Sequence, residues 1–237
     1  RWIAEGAMWV EPDTNMTSGE SLVRQLLHGK RYFKDQLGVD SVVLWLPDTF
    51  GYSAALPQIL KGCGVQYLVT QKIFWSYNEG DRFPYHYFTW QGADGSEIET
   101  FLPTSYTYRT DPGEISQAWK KRVQKRGLDA FLLPYGYGDG GGGPTRTMLD
   151  TSRRMEQGIR GLPKVRQATA RTYFDQLAAR AVRNRPLETR DGAFHSPSPP
   201  GTVLIIRSHF TPTASSTLTA SPTTSGPIPS PRIRAIL

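Results

Sequence analysis

The 237-residue sequence contains a single cysteine, Cys63. That excludes an internal disulfide framework, and with no His/Cys cluster beside it a thiolate zinc site is not expected. Set between Gly62 and Gly64 after a helical stretch, Cys63 reads as a small buried residue rather than a nucleophile. No apolar run approaches the roughly 20 residues that a membrane-spanning helix needs, and Arg1 to Val10 lacks the basic-then-apolar order of a secretion signal. The expected address is therefore cytoplasmic, with no membrane partner. Acidic residues are also missing: none follows Asp191, which together with the arginines from Arg146 to Arg190 accounts for much of the net charge of +7. A dense basic stripe with interleaved aromatics is absent, so the excess charge does not indicate nucleic acid.

What is present alternates between helical and strand patterns. Thr17 and Glu20 stand at capping-box spacing before Leu22, Val23, Leu26, Leu27, Phe33 and Leu37, an apolar series at helical intervals that Gly38 ends. Val42 to Leu46 is an unbroken apolar run, which suits a strand buried on both faces. The same reading gives helices over 54–61, 114–126, 145–157 and 172–183, the last with Thr172 and Asp175 as its capping pair. Further strands are expected over 65–70 and 131–133. This alternation predicts an α/β fold around a parallel sheet, open or closed into a barrel, over residues 1–185. Residues 186–237 are dominated by Ser, Thr and Pro and read as a disordered tail, with Val203 to Ile206 as the one place for a strand.

Two aspartates follow strand ends. Asp48 comes after Leu46-Pro47, and Asp139 lies in the glycine-rich loop after Phe131-Leu132-Leu133. In parallel sheets the carboxyl ends of the strands form the reactive face. Two carboxylates brought there are the minimum apparatus for glycoside hydrolysis, although each is equally at home as a cap or turn residue. The loop from Gly136 to Gly143 also fits the dinucleotide fingerprint, but an internal aspartate would repel a pyrophosphate and no acid stands ready for the ribose. A third feature is the aromatic segment Trp75, Tyr77, Phe83, Tyr85, Tyr87, Phe88 and Trp90, with Asp81, Arg82 and His86 among them. Such rings either stack on sugar faces or pack a long irregular loop, and His86 alone reads as a structural histidine.

The run Trp45-Leu46-Pro47-Asp48-Thr49-Phe50-Gly51-Tyr52-Ser53, followed by Leu56-Pro57-Gln58-Ile59-Leu60, resembles the nucleophile segment of glycoside hydrolase family 38, the α-mannosidases. Trp9 to Asn15, Thr70-Gln71-Lys72, Arg82 to His86, Phe88 to Gly95 and Tyr137 to Thr145 extend the resemblance over about residues 1–185, closest to the cytosolic or vacuolar branch also found in bacteria. It implies an irregular parallel β/α barrel, incomplete here, that hydrolyses terminal α-D-mannosides with retention through a mannosyl-aspartate. It places Asp48 as nucleophile and zinc ligand, Asp139 as acid and base, and Glu11, Asp13 and Asn15 along the sugar site. The remaining ligands it implies are a His-x-Asp pair before Trp9 and a histidine in a His-Arg-Gly segment beyond Arg190. Neither occurs in this sequence, and neither His195 nor His209 has a matching context. The expectation is thus a fragment that binds zinc, or another divalent cation, weakly or not at all by itself and is impaired as an enzyme. The alternatives are a carbohydrate-binding remnant without catalysis and a nucleotide-binding domain using the loop from Gly136 to Gly143. Oligomeric state and linkage preference are not read from the sequence.

Overall fold

The computed structural model describes residues 3–76, 83–125, 128–138, 142–183, 202–207 and 232–235. Helix α1 spans Gly19–Leu37 and buries Leu22, Leu26 and Gly29. Its cap is Ser18, whose hydroxyl accepts the Ser21 N–H at 3.2 Å, one residue later than the Thr17 cap the spacing suggests. Thr17 is already engaged in the turn before the helix, donating its hydroxyl to the Asp13 carbonyl at 3.2 Å. Glu20 pairs with Arg24 at 2.8 Å instead of completing a capping box.

Strand β1 (Val43–Leu46), helix α2 (Leu56–Gly62), strand β2 (Tyr67–Thr70), the short helix α3 (Ile73–Ser76) and strands β3 (Tyr87–Gln91) and β4 (Glu97–Phe101) follow in order. Helix α4 (Pro112–Lys121), strand β5 (Ala130–Tyr135), helix α5 (Arg146–Glu156), strand β6 (Lys164–Gln167) and helix α6 (Ala170–Arg183) come next, and strands β7 (Thr202–Arg207) and β8 (Arg232–Ala235) lie in the tail. One sheet has the order β1-β2-β4-β3-β8, the other β5-β7-β6. β1, β2 and β4 run parallel, as do β5, β7 and β6; β3 is antiparallel to both its neighbours. Gly6 adds a parallel bridge to Leu44, and Tyr108 one to Tyr135. The expected parallel α/β architecture is present.

The unbroken apolar strands have a direct cause. Val43 and Val69 pack into a cluster with Phe101, Phe131, Tyr173 and Phe174. Their neighbours Leu44, Leu46 and Leu68 face the opposite side, against Leu22, Leu26, Leu56, Leu60 and Phe88. Both faces of β1 and β2 are covered, so alternation would expose nothing useful and is absent. Among the helices, α4 is capped by Asp111, which accepts the Glu114 N–H at 2.8 Å, and stops at Lys121 rather than running on to 126. Helix α6 begins at Ala170, earlier than Thr172, because Thr169 supplies the cap, accepting the Thr172 N–H at 3.0 Å. Cys63 closes α2 as a partly buried residue, and burial pushes its thiol up. β7 falls on the Val203 to Ile206 island; β8 was not legible in the pattern.

Candidate active site

Because β1, β2 and β4 are parallel, the residues that follow them emerge along one edge of the sheet. Asp48 leaves β1, Gln71 and Lys72 leave β2, and Thr104 to Thr107 follow β4. Their side chains line a cavity of about 440 Å³ that also includes Phe50. Asp48 Oδ1 lies 3.1 Å from Lys72 Nζ, with side-chain exposures of 23% for the aspartate and 6% for the lysine. The ammonium is 5.2 Å from the Phe50 ring centre and 5.0 Å from that of Tyr106, close enough for cation–π attraction to both. Gln71 donates its amide N–H to the Thr104 carbonyl at 3.1 Å, fixing the wall between β2 and β4.

A second loop, from Glu11 to Asn15, is locked onto the Asp48 loop. Thr49 donates its hydroxyl to the Pro12 carbonyl at 2.8 Å. Thr14, almost fully buried, donates both its backbone N–H and its hydroxyl to the Gly51 carbonyl at 3.1 and 2.8 Å. The same Thr14 hydroxyl accepts the Ser53 N–H at 2.8 Å. The contact is so close that a Cβ on Gly51 would sit 1.7 Å from Asp13 Oδ1, so any side chain there would push the Asp13 carboxylate aside. Tyr52 ties the loop to β2, donating to the Thr49 carbonyl at 2.6 Å with the Thr70 hydroxyl at 2.7 Å; burial pushes its phenol up to about 12.

The clamp brings Glu11 into the field of Asp48. Burial, and then the Asp48 charge, push the Glu11 carboxyl up to about 7. Asp13 instead shapes the loop in the manner of an Asx turn, its Oδ1 accepting the N–H groups of Asn15 at 2.9 Å and Met16 at 3.3 Å. Asn15 sits at the exposed end of that loop. Asp139 lies outside the described residues. The neck of its loop is described: Tyr137 donates its N–H to the Gly143 carbonyl at 2.9 Å, and a Cβ on Gly138 would meet Thr107 Cγ2 at 2.6 Å. The neck thus packs on a residue that lines the Asp48 cavity.

For the aromatic segment, the described rings pack rather than present a surface. Phe83, Tyr87, Phe88 and Trp90 are buried, and Phe83 makes ring contacts with Phe74, Tyr85 and Phe88. The Trp75 side chain, Tyr77, Asp81 and Arg82 lie outside the described residues. His86 is structural: its Nδ1 donates to the Leu102 carbonyl at 2.7 Å and its Nε2 accepts the Val123 N–H at 3.0 Å, which fixes the neutral tautomer. Sequence reasoning missed Lys72, Tyr106 and the Thr104 to Thr107 wall as site residues. The signal for Lys72 was available, since it follows β2 as Asp48 follows β1.

The family resemblance implies zinc, and the donor set bears on whether it fits. Among the described residues no group of three or more His, Cys, Asp or Glu side chains is placed to hold a metal ion. The cation paired with Asp48 is an ammonium, which supplies no lone pair to a metal. The described residues do not fit a zinc shell.

Residues 1–196 match the glycosyl hydrolases family 38 N-terminal domain. The chain is 42% identical over 182 residues to human alpha-mannosidase 2C1, covering 75% of this chain and 17% of that protein. It is 37% identical over 202 residues to an alpha-mannosidase of Saccharomyces cerevisiae, covering 82% and 18%. The crystal structure of an alpha-mannosidase from Enterococcus faecalis V583 superimposes with a TM-score of 0.58 over 84% of this chain and 21% of that one, at 17% identity, a likeness of fold alone. The chain spans less than a fifth of the length of these curated relatives. A match that runs through both carboxylate-bearing loops and most of the remaining residues leaves one assignment: the chain belongs to glycosyl hydrolase family 38, by its N-terminal domain.

Proposed function

We propose that this chain carries the nucleophile of a retaining α-mannosidase, acting on terminal α-D-mannosides of an oligosaccharide or glycan. The observation that supports this reading most is Asp48 itself, a carboxylate at the end of a parallel strand, lining a cavity of about 440 Å³ and paired with a buried cation. In the proposed reaction an Asp48 carboxylate oxygen attacks the anomeric carbon of mannose while the glycosidic C–O bond breaks. The departing oxygen takes a proton from Asp139, leaving mannose esterified to Asp48. Asp139, now a carboxylate, removes a proton from water, whose oxygen attacks the same carbon, releases Asp48 and restores the starting configuration. Asp139 takes this role from the family resemblance, and the packing of Gly138, in the neck of its loop, on Thr107 at the cavity wall supports it. Glu11, protonated in part near neutral pH, is suited to hydrogen-bond a sugar hydroxyl, and Asp13 to hold the loop that carries it.

Zinc belongs to the proposal only as the resemblance gives it, with Asp48 as the ligand in this chain, and no step above runs through it. No described helix is long and apolar enough to cross a membrane, and a cytoplasmic location is proposed on the likeness to the cytosolic branch. The test is release of nitrophenol from an α-mannoside by the full chain. Turnover is expected to fall about 1,000-fold or more in Asp48→Asn. Turnover by a folded Asp48→Asn equal to that of the parent would remove Asp48 from the chemistry.

A further inference from the structure

We infer that Lys72 is a positioning residue for Asp48, setting which carboxylate oxygen faces the sugar; the inference rests on the reading of Asp48 as nucleophile. A carboxylate's terminal torsion is broad and nearly two-fold, so an aspartate at a strand end does not choose its own orientation. Here Oδ1 is bonded to Lys72 Nζ at 3.1 Å, which leaves Oδ2 as the oxygen available for attack. The lysine is itself held. Its side chain is 6% exposed, its ammonium lies against the rings of Phe50 and Tyr106, and its neighbour Gln71 is bonded to the Thr104 carbonyl. Phe50 belongs to the Asp48 loop and Tyr106 to the segment after β4, so the ammonium is gripped from both sides of the cavity.

A buried ammonium needs a compensating charge, so the arrangement is reciprocal: Asp48 keeps Lys72 in place and Lys72 orients Asp48. Misplacing a reacting group by about 1 Å costs on the order of 100-fold in rate, and that is the effect expected when the lysine bond is lost. The bond also leaves a positive charge beside the oxygen that does not attack, both before mannosyl transfer and after it.

The test compares Lys72→Met, which keeps length and loses charge, with Lys72→Arg, which keeps the charge and a donor, after thermal melting has shown each to be folded. With a nitrophenyl α-mannoside, Lys72→Met is expected to lower kcat about 100-fold with KM changed less than about threefold, and Lys72→Arg to recover at least about tenfold of that loss. A raised KM with unchanged kcat would make Lys72 a substrate contact and overturn the inference. Equal losses in the two variants would reduce it to packing and overturn it too. Should the parent chain show no turnover, the mannosidase reading fails first, and the crystal structure of Lys72→Met decides the positioning claim separately. An Asp48 carboxylate rotated away from the cavity supports it, and an unmoved one refutes it.

Discussion

At Glu11 the structure sets burial and a like charge against ionisation, and the consequence for stability has a definite sign. The carboxyl is pushed from 4.5 in the open chain to about 7 in the folded one, so between those values the native state binds more protons than the unfolded state. Folding therefore loses stability as pH rises through that window; the loss is absent below it and complete above it. Glu11→Gln removes the titration, and its stability relative to the parent is expected to improve between pH 4.5 and 8 by up to about 3 kcal/mol. Denaturant melts of both proteins at several pH values measure this, and parallel stability curves would exclude it. Asp48 stands out in the sequence through the family resemblance of its run, since a carboxylate after a buried strand is by local context equally a cap or turn residue. Lys72 carried the same positional signal, since it follows β2 as Asp48 follows β1 in a sheet expected to be parallel, and the pairing of the two strands brings the two side chains together. The resemblance places Asp13 along the sugar site, and in the structure its carboxylate accepts the N–H groups of Asn15 and Met16 within its own loop.

Among the elements, those with an apolar period and a clean cap had starts readable to within two residues, while ends were less well marked, α4 stopping at Lys121 and not at 126. Helix α5 begins after Thr145, whose hydroxyl accepts the Met148 N–H at 3.2 Å, and ends at Glu156, close to the expected span. The misplaced start of α1 has a physical reason, because two adjacent hydroxyl residues compete for one cap and the preceding turn takes the first. Ser18→Ala is expected to cost about 1 kcal/mol of stability. Thr17→Ala, which loses a single part-buried bond to the Asp13 carbonyl, should cost less than Ser18→Ala. Urea melts of the two variants rank them, and the reverse order would return the cap to Thr17. The β3–β4 hairpin was unreadable for another reason. Tyr87, Phe88 and Trp90 are all buried, so no alternation marks β3, and its aromatic content suited a sugar platform as well as a core. Packing of Phe83 and Phe88 with the leucines of β1 and β2 decides in favour of the core.

At the scale of the whole molecule, the fold works by aligning strand ends. Parallel β1, β2 and β4 bring Asp48, Lys72 and the Thr104 to Thr107 wall to one edge, and the Glu11 to Asn15 loop is clamped across it by Thr14 and Thr49. The parallel α/β class was legible because strands buried on both faces leave long apolar runs. The grouping into two sheets was not, since β3 and β8 carry little local signal and the pairing partners of β7 are not marked in its apolar run. The family assignment rests on a match over residues 1–196, whereas the chemistry proposed for this chain, less than a fifth of its relatives' length, turns on Asp48. The most direct measurement is to treat the full chain with a slow fluorinated mannosyl fluoride, digest it, and locate the adduct by peptide mass spectrometry. One mannosyl ester is expected, on Asp48, and absent from Asp48→Asn. An adduct on another residue, or none in a folded chain, would contradict Asp48 as the nucleophile.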